Sequence, residues 1–273
     1  MTMKPLIILI SLFLSLPAFA LNIQGQWIQG GFILGKVNPA NTLEFFGRSV
    51  RINKQGDFVL GLGRDIKPTV ELIETTPAGE VKKYSFTVKQ RQYREQRIEG
   101  VPKRTVNVPE AELPRIRKEV RLAKAARAID SDLQHFLQTF TWPAKGIISG
   151  VYGSRRYYNG VPKRPHYGVD IAAPQGTPVT APAAGMITLV HENMYFSGGT
   201  VIMDHGHGIS STFIHLHKAH VKQGDRVEQD QLIAEIGTTG RSTGPHLDWR
   251  MNWFNQRLDP QLLMPAMPKR NKQ

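Results

Sequence analysis

Residues 164–170 read RPHYGVD, and this run decides how the C-terminal half of the chain is built. His166 and Asp170 are four apart, a spacing that would put both on one face of a helix. Pro165, Gly168 and the branched Val169 and Ile171 argue against a helix. The run therefore reads as a loop carrying His166 that enters a strand carrying Asp170. Period-two alternation then points Tyr167 and Val169 one way, and Gly168 and Asp170 the other. A carboxylate buried in this way needs a compensating cation, which a bound divalent ion would supply.

Two further runs have the same character. In TFIHLH, residues 212–217, alternation places Phe213, His215 and His217 on one face, with Ile214 and Leu216 toward the core. In PHLDWR, residues 245–250, His246, Asp248 and Arg250 share a face opposite Leu247 and Trp249. Strand-like runs recur at Met186–Val190, Val201–Met203, Thr212–Leu216, Val227–Ile236 and Leu247–Phe254, with glycine-rich turns between them. The expected unit over 141–268 is a glycine-rich antiparallel β domain. Eight of the nine histidines lie after residue 160, so any histidine chemistry belongs to this unit.

Outward from there the chain changes twice. Residues 109–140 open with Pro109-Glu110-Ala111-Glu112 and carry apolar residues three or four apart, at Ile116, Val120, Leu122 and Ala126. That pattern predicts a helical connector, as one amphipathic helix or two short ones split near Asp130-Ser131-Asp132. Residues 21–108 show short alternating stretches, such as Ser49–Ile52 and Tyr84–Val88, between turn signals. They predict a small immunoglobulin-like β domain. It contains no histidine, so a metal site there is not expected. The fold class is mainly β.

The first 20 residues read as a secretory signal peptide: Lys4, an apolar run from Leu6 to Leu16, then Pro17-Ala18-Phe19-Ala20 with cleavage after Ala20. The apolar run is shorter than the ~20 residues that span a bilayer. A soluble periplasmic or secreted protein is expected, with no stable membrane insertion after cleavage. The chain has no cysteine, which excludes disulfides, thiol catalysis and thiolate metal sites. A formal charge of +13 favours polyanions, but export and the absence of an aromatic-laced basic patch argue against nucleic acid. Residues 269–273 form a basic tail.

Residues 150 to about 262 resemble the lysostaphin-type (LytM-like) peptidoglycan metallopeptidases. The runs that carry the resemblance are GSRRYYNGVPKRPHYGVDIAAPQGTPVTAP, VIMDHGHGISSTFIHLH and GTTGRSTGPHLDWRMNW. The resemblance implies His166 and Asp170 as metal ligands, His215 as a catalytic histidine and His246 as its partner. It implies Zn²⁺ as cofactor, peptidoglycan as substrate and hydrolysis of its peptide bonds during cell-wall remodelling. The position of the third ligand departs from the family: a histidine is usual there, and this chain has Asp248. An aspartate oxygen lies as many bonds from Cβ as the histidine nitrogen it replaces. One imidazole and two carboxylates would nearly neutralise a dication, giving a weaker Lewis acid and letting Mn²⁺ compete. Arg155, Asn159 and Tyr195 fall in segments that flank the family's groove and are candidate substrate contacts. The alternatives are a catalytically impaired domain that binds peptidoglycan or activates a separate cell-wall amidase, and a polyanion-binding β protein. A regulatory protein partner fits the former, and the N-terminal domain and connector are expected to restrain access to the groove.

Overall fold

A computed structural model describes residues 21–267; the expected signal peptide and basic tail lie outside the described residues. The N-terminal part contains β1 (Asn22–Gly25), β2 (Phe32–Lys36), β3 (Thr42–Phe45), β4 (Arg48–Val50), β5 (Asp57–Gly61), β6 (Thr69–Thr75) and β7 (Val81–Thr87). They form two antiparallel sheets, β1-β2-β5 and β4-β3-β6-β7. Three strands over four is the sandwich the alternating runs predict, with the fourth strand paired to the third rather than to the fifth. Phe45, Phe58, Leu60, Leu62 and Leu72 are buried between the sheets.

The chain then leaves the sandwich earlier than residue 108. Strand β8 (Glu95–Ile98) pairs in parallel with β10 of the next unit and with neither of the N-terminal sheets. Helix α1 (Lys103–Val106) and helix α2 (Leu113–Arg127) follow. Pro114 sits in the first turn of α2, where a missing N–H goes unnoticed. The helix lays Ala123 and Ala126 against Leu189, Met194 and Ile202.

The C-terminal unit contains β9 (Ile147–Gly150), β10 (Arg155–Tyr158), β11 (Val161–Pro162), β12 (Val169–Ala172), β13 (Pro178–Thr180), β14 (Gly185–Met194), β15 (Gly198–Gly206), β16 (Ile209–Ala219), β17 (Arg226–Val227), β18 (Leu232–Ile236), β19 (His246–Trp253) and β20 (Gln256–Leu258). The main sheet runs β17-β14-β15-β16-β19-β12-β9 and is antiparallel throughout. The run Val227–Ile236, expected as one strand, is two, because a turn with Asp230 at φ 63° breaks it.

Sandwich and sheet share one core. Phe45 lies 5.9 Å from Trp253, and a Cβ on Gly61 would sit 2.3 Å from the Cβ of Trp253, so only glycine allows this approach. Arg91 pairs at 2.8 Å with Asp259, whose side chain is buried, and ties the sandwich to the far end of the chain.

Candidate metal centre and active-site cleft

Strand register creates the centre. Antiparallel β12 and β19 place Asp170 directly opposite Asp248, so two carboxylates stand on one face at the closest cross-strand spacing. Like charges so placed repel, and both are buried. His166 enters from the loop before β12, its Nε2 3.1 Å from Asp170 Oδ1 and its Nδ1 3.9 Å from Asp248 Oδ2. One ligand atom from each of the three lies within 4.8 Å of the others. Ligands at about 2.0–2.2 Å from a tetrahedral ion stand about 3.3–3.6 Å apart, so the trio needs little adjustment to close on one. Both ring nitrogens of His166, and Asp170 Oδ1, are buried without a hydrogen-bond partner. Orphaned polar atoms converging on one point are what a cation would satisfy. Two glycines keep the space open. A Cβ on Gly150 would meet Asp170 Oδ2 at 2.2 Å, and one on Gly168 would meet Asp248 Oδ1 at 2.7 Å.

Each carboxylate also has its own arginine. Arg250, two residues along β19 on the same face, donates Nε to Asp248 Oδ1 at 2.9 Å and Nη2 to Oδ2 at 2.6 Å. Arg156 on β10 donates to Asp170 Oδ2. Burial opposes ionisation of Asp248, but Arg250, then His166, brings its pKa down to about 2. Burial opposes Asp170 likewise; His166 and Arg156 outweigh it and hold the carboxyl well below the usual range. The sequence alone suggests one imidazole and two carboxylates that would nearly neutralise a dication. In the structure each of those carboxylates is already paired with an arginine, Asp170 with Arg156 and Asp248 with Arg250. Each bidentate or single arginine contact leaves lone pairs on the carboxylate for a further cation.

The two histidines predicted as catalytic stand beside the trio. His215 has φ 65°, a left-handed conformation unusual outside glycine. It is the extra residue of a β-bulge: Ile214 pairs with Thr200 and Leu216 with the adjacent Gly199, leaving His215 unpaired. The bulge overturns the expected alternation of β16. Phe213 and Leu216 both enter the core, while Ile214 and His215 line the cleft and His217 is exposed. His215 Nδ1 donates to the Thr239 carbonyl and His246 Nδ1 to the Gly244 carbonyl, each at 2.8 Å. A carbonyl only accepts, so both rings keep Nε2 for the cleft. The rings are 4.8 Å apart, and His246 Nε2 lies 4.0 Å from Asp170 Oδ1. Burial, then His246, lowers the His215 pKa to about 4, which keeps the ring neutral near pH 7.

Asp170, Asp248, their two arginines, His215 and His246 line one open cleft of about 780 Å³, while His166 is buried outside its lining. A larger cavity of about 960 Å³ lies between the sandwich and the Tyr167 loop, but no convergent unpartnered ligands line it. Val101, Val106, Ile116 and Val120 from the connector form an apolar wall of the cleft, and Val101 and Val106 pack on Tyr158. The three expected substrate contacts lie elsewhere. Arg155 is exposed on the outer face of β10, Asn159 is bound through its amide to Val101, and Tyr195 stands against Phe196 and Arg115. The cleft instead presents Arg156, Tyr158, Phe196 and Arg241. The parity of Arg-Arg-Tyr-Tyr along β10 decides which arginine faces inward, and the sequence does not carry that parity. Of the other histidines, His205 is fully buried, donating Nδ1 to the Ala184 carbonyl at 2.8 Å and meeting Ser211 Oγ at 2.9 Å. His207 is buried against Phe136, and His220 pairs with Glu235.

The profile of peptidase family M23 matches residues 164–260, the stretch from the His166 loop through β19 and β20. The C-terminal domain belongs to peptidase family M23. The M23 region is 37% identical over 121 residues to the peptidoglycan DD-endopeptidase ShyA of Vibrio cholerae, covering 44% of this chain and 28% of that protein. It is 38% identical over 113 residues to the DD-carboxypeptidase/endopeptidase Mpg of Neisseria meningitidis, covering 41% of this chain and 26% of that one. The chain thus spans about a quarter of the length of these relatives. A Pseudomonas aeruginosa crystal structure assigned to peptidase M23 superposes over 87% of this chain and 95% of its own, with a TM-score of 0.70 and 28% identity. The sandwich, the connector and the M23 domain therefore share that protein's fold.

Proposed function

We propose that the cleft hydrolyses peptide bonds of peptidoglycan as a zinc-dependent endopeptidase working outside the cytoplasm. The observation that supports it best is the convergence of His166, Asp170 and Asp248, with orphaned buried atoms on the first two, beside two histidines that present Nε2. His166, Asp170 and Asp248 are the residues that would hold the ion, with Mn²⁺ as a competitor because two of the three ligands are carboxylates. A divalent ion there supplies Lewis-acid polarisation of a carbonyl and a more acidic water. His215, neutral and with Nδ1 fixed on Thr239, is placed to take a proton at Nε2. His246, hinged on Gly244 and facing Asp170, is placed to steady charge developing on the carbonyl oxygen or to return a proton to the leaving amine. Arg156 and Arg250 hold the two carboxylates in the orientation the ligands require. Among the described residues no helix is long and apolar enough to cross a membrane, in keeping with an exported protein.

A second reading has one observation in its favour. Arg250 engages both oxygens of Asp248, which suits a centre that has lost its ion and serves instead to bind peptidoglycan or to activate a separate amidase. One experiment separates the two. Purified peptidoglycan is digested with metal-loaded wild type, His215→Ala and Asp170→Asn, and the muropeptides are resolved. Cleavage by the wild type that both variants lose supports the hydrolase. Binding without cleavage, together with no bound Zn²⁺ or Mn²⁺, supports the second reading.

A further inference from the structure

The sheet face that carries Asp248 holds a second group of buried polar atoms. Cross-strand partners share a face, so Leu189, Ile202, Thr212 and Arg250 form one row across β14, β15, β16 and β19. Asp204, Ser210, Asn252 and Arg257 form the next row, across β15, β16, β19 and β20. Ser210 and Thr212 are 2% and 4% exposed, and their hydroxyl oxygens are buried without a hydrogen-bond partner. Asp204, the carboxylate of the second row, accepts instead from Ser131 and from the Gly206 N–H. Helix α2 lays Ala126 on Leu189 and Ile202, which brings the next residue, Arg127, to the same face.

Three arginines meet there, and one of them has a countercharge: Arg250 is paired with Asp248. Arg257 donates Nη1 to a neutral acceptor, Asn252 Oδ1, at 3.0 Å, and its guanidinium lies 5.8 Å from the centre of the Tyr167 ring. Arg127 has no hydrogen-bond or ion-pair partner among the described residues. Both Arg127 and Arg257 are partly buried. Burial, then the charge of Arg250, lowers the Arg127 pKa to about 10. Burial, then Arg127 and Arg250, lowers that of Arg257 to about 9 against the pull of Tyr167 and Asp248. This mutual depression requires the three guanidinium groups to lie close together. Crowded cations beside orphaned hydroxyls that can donate are what an oxyanion would satisfy.

We propose that Arg127, Arg257, Ser210 and Thr212 form a binding site for a small oxyanion, phosphate or carboxylate, separate from the metal centre. Asn252, which stands between Ser210 and Arg257, is four residues from Asp248, or about 13 Å along β19. Arg257 also lines the larger cavity, which gives an anion a way in. The oxyanion has two possible sources, free inorganic phosphate or a carboxylate carried by a peptide that fills that cavity. The site does not rest on the hydrolase reading, because none of its four residues belongs to the metal trio or is a catalytic histidine.

The test titrates the full-length protein, as purified, with inorganic phosphate against sodium chloride of matched ionic strength, read by calorimetry and by urea unfolding. Wild type should bind phosphate saturably, and its urea midpoint should rise as phosphate is added. Arg127→Met keeps the apolar stem and loses the charge. It should weaken phosphate binding by about 10- to 100-fold, the worth of one charge-assisted contact. Without phosphate the same variant should unfold at no lower urea concentration than wild type, because it removes a partly buried cation that lacks a partner. A lower midpoint there makes the guanidinium a structural group and overturns the proposal. A wild type that responds to phosphate no more than to chloride, a comparison that needs no variant, overturns it as well. So does phosphate binding that Arg127→Met leaves unchanged, since that phosphate sits elsewhere. A soluble muropeptide with free carboxylates then separates the sources. Displacement of phosphate assigns the site to a peptide carboxylate and its failure assigns the site to the free anion; each sustains the proposal.

Discussion

Replacing Asp248 by the histidine usual in the family should not simply restore a conventional centre, because Asp248 has a second partner to satisfy. Asp248→His leaves the Arg250 guanidinium without its carboxylate. Breaking a buried pair costs about 3–5 kcal/mol. The Arg250 side chain keeps 26% of its surface exposed, so solvent softens the loss and the lower end applies, about 2–3 kcal/mol. The reverse change is worse. Arg250→Leu strands Asp248, whose side chain is 1% exposed, directly across the sheet from Asp170, and should reach the upper end at about 4–5 kcal/mol. The double variant removes both charges and should lose far less than the sum, with a coupling of about 3 kcal/mol between the sites. Urea unfolding of the four proteins in chelator measures all of this. At equal Zn²⁺ concentration the ion should then stabilise Arg250→Leu more than wild type, since it replaces the lost countercharge; the gain for the variant reaches about 4 kcal/mol at a thousandfold excess over its own Kd. Additivity of the two single changes within about 0.5 kcal/mol, or an Arg250→Leu cost below about 1 kcal/mol, would refute the reasoning.

His215→Ala and His246→Ala should each lower peptidoglycan hydrolysis by about 10²–10⁴-fold while the unfolding midpoint stays near that of wild type; muropeptide release checks the first and urea titration the second. Asp170→Asn should abolish metal retention on a desalting column, measured by elemental analysis, and Asp248→Asn should weaken it about 10-fold or more. Stability should fall on acidification through His205. Burial lowers its pKa to about 4 in the native state, while the unfolded chain titrates near 6.5, so between these values the unfolded state binds the extra proton. The contribution is intact above about pH 6.5 and lost progressively toward pH 4, to a total of about 3 kcal/mol. His205→Gln should flatten the urea midpoint between pH 7 and 4.5; an unchanged slope would remove His205 as the cause.

The parts of the site that were legible in the sequence are those where alternation runs unbroken. In β19 the pattern His246, Asp248, Arg250 against Leu247, Trp249 is the pattern the structure shows, because nothing interrupts the pleat. Strand β16 was misread for a definite reason. A bulge at a non-glycine residue has no compositional sign, and one extra residue reverses the facing of all that precede it. The metal trio was visible only through the family resemblance, whereas its arginine partners depend on register and on β10 parity. The end of the sandwich was placed too late, because Glu95–Ile98 alternates like any strand and only its distant partner shows which unit it joins.

That pairing of β8 with β10 has a bearing on how the protein can be dissected. The family match begins at residue 164, and a natural cut would start the M23 domain there or near 141. A cut at 164 removes β9, β10 and β11 outright, while a cut near 141 keeps them but removes β8 and α1, and with them the parallel partner of β10 and the cover over Tyr158. The shortened protein would carry a bare strand edge beside its cleft, an open template for another chain. Loss of activity, or aggregation, after such trimming would report a damaged wall rather than a missing regulator. The peptidase here begins, in physical terms, some seventy residues before its motif, at about Glu95.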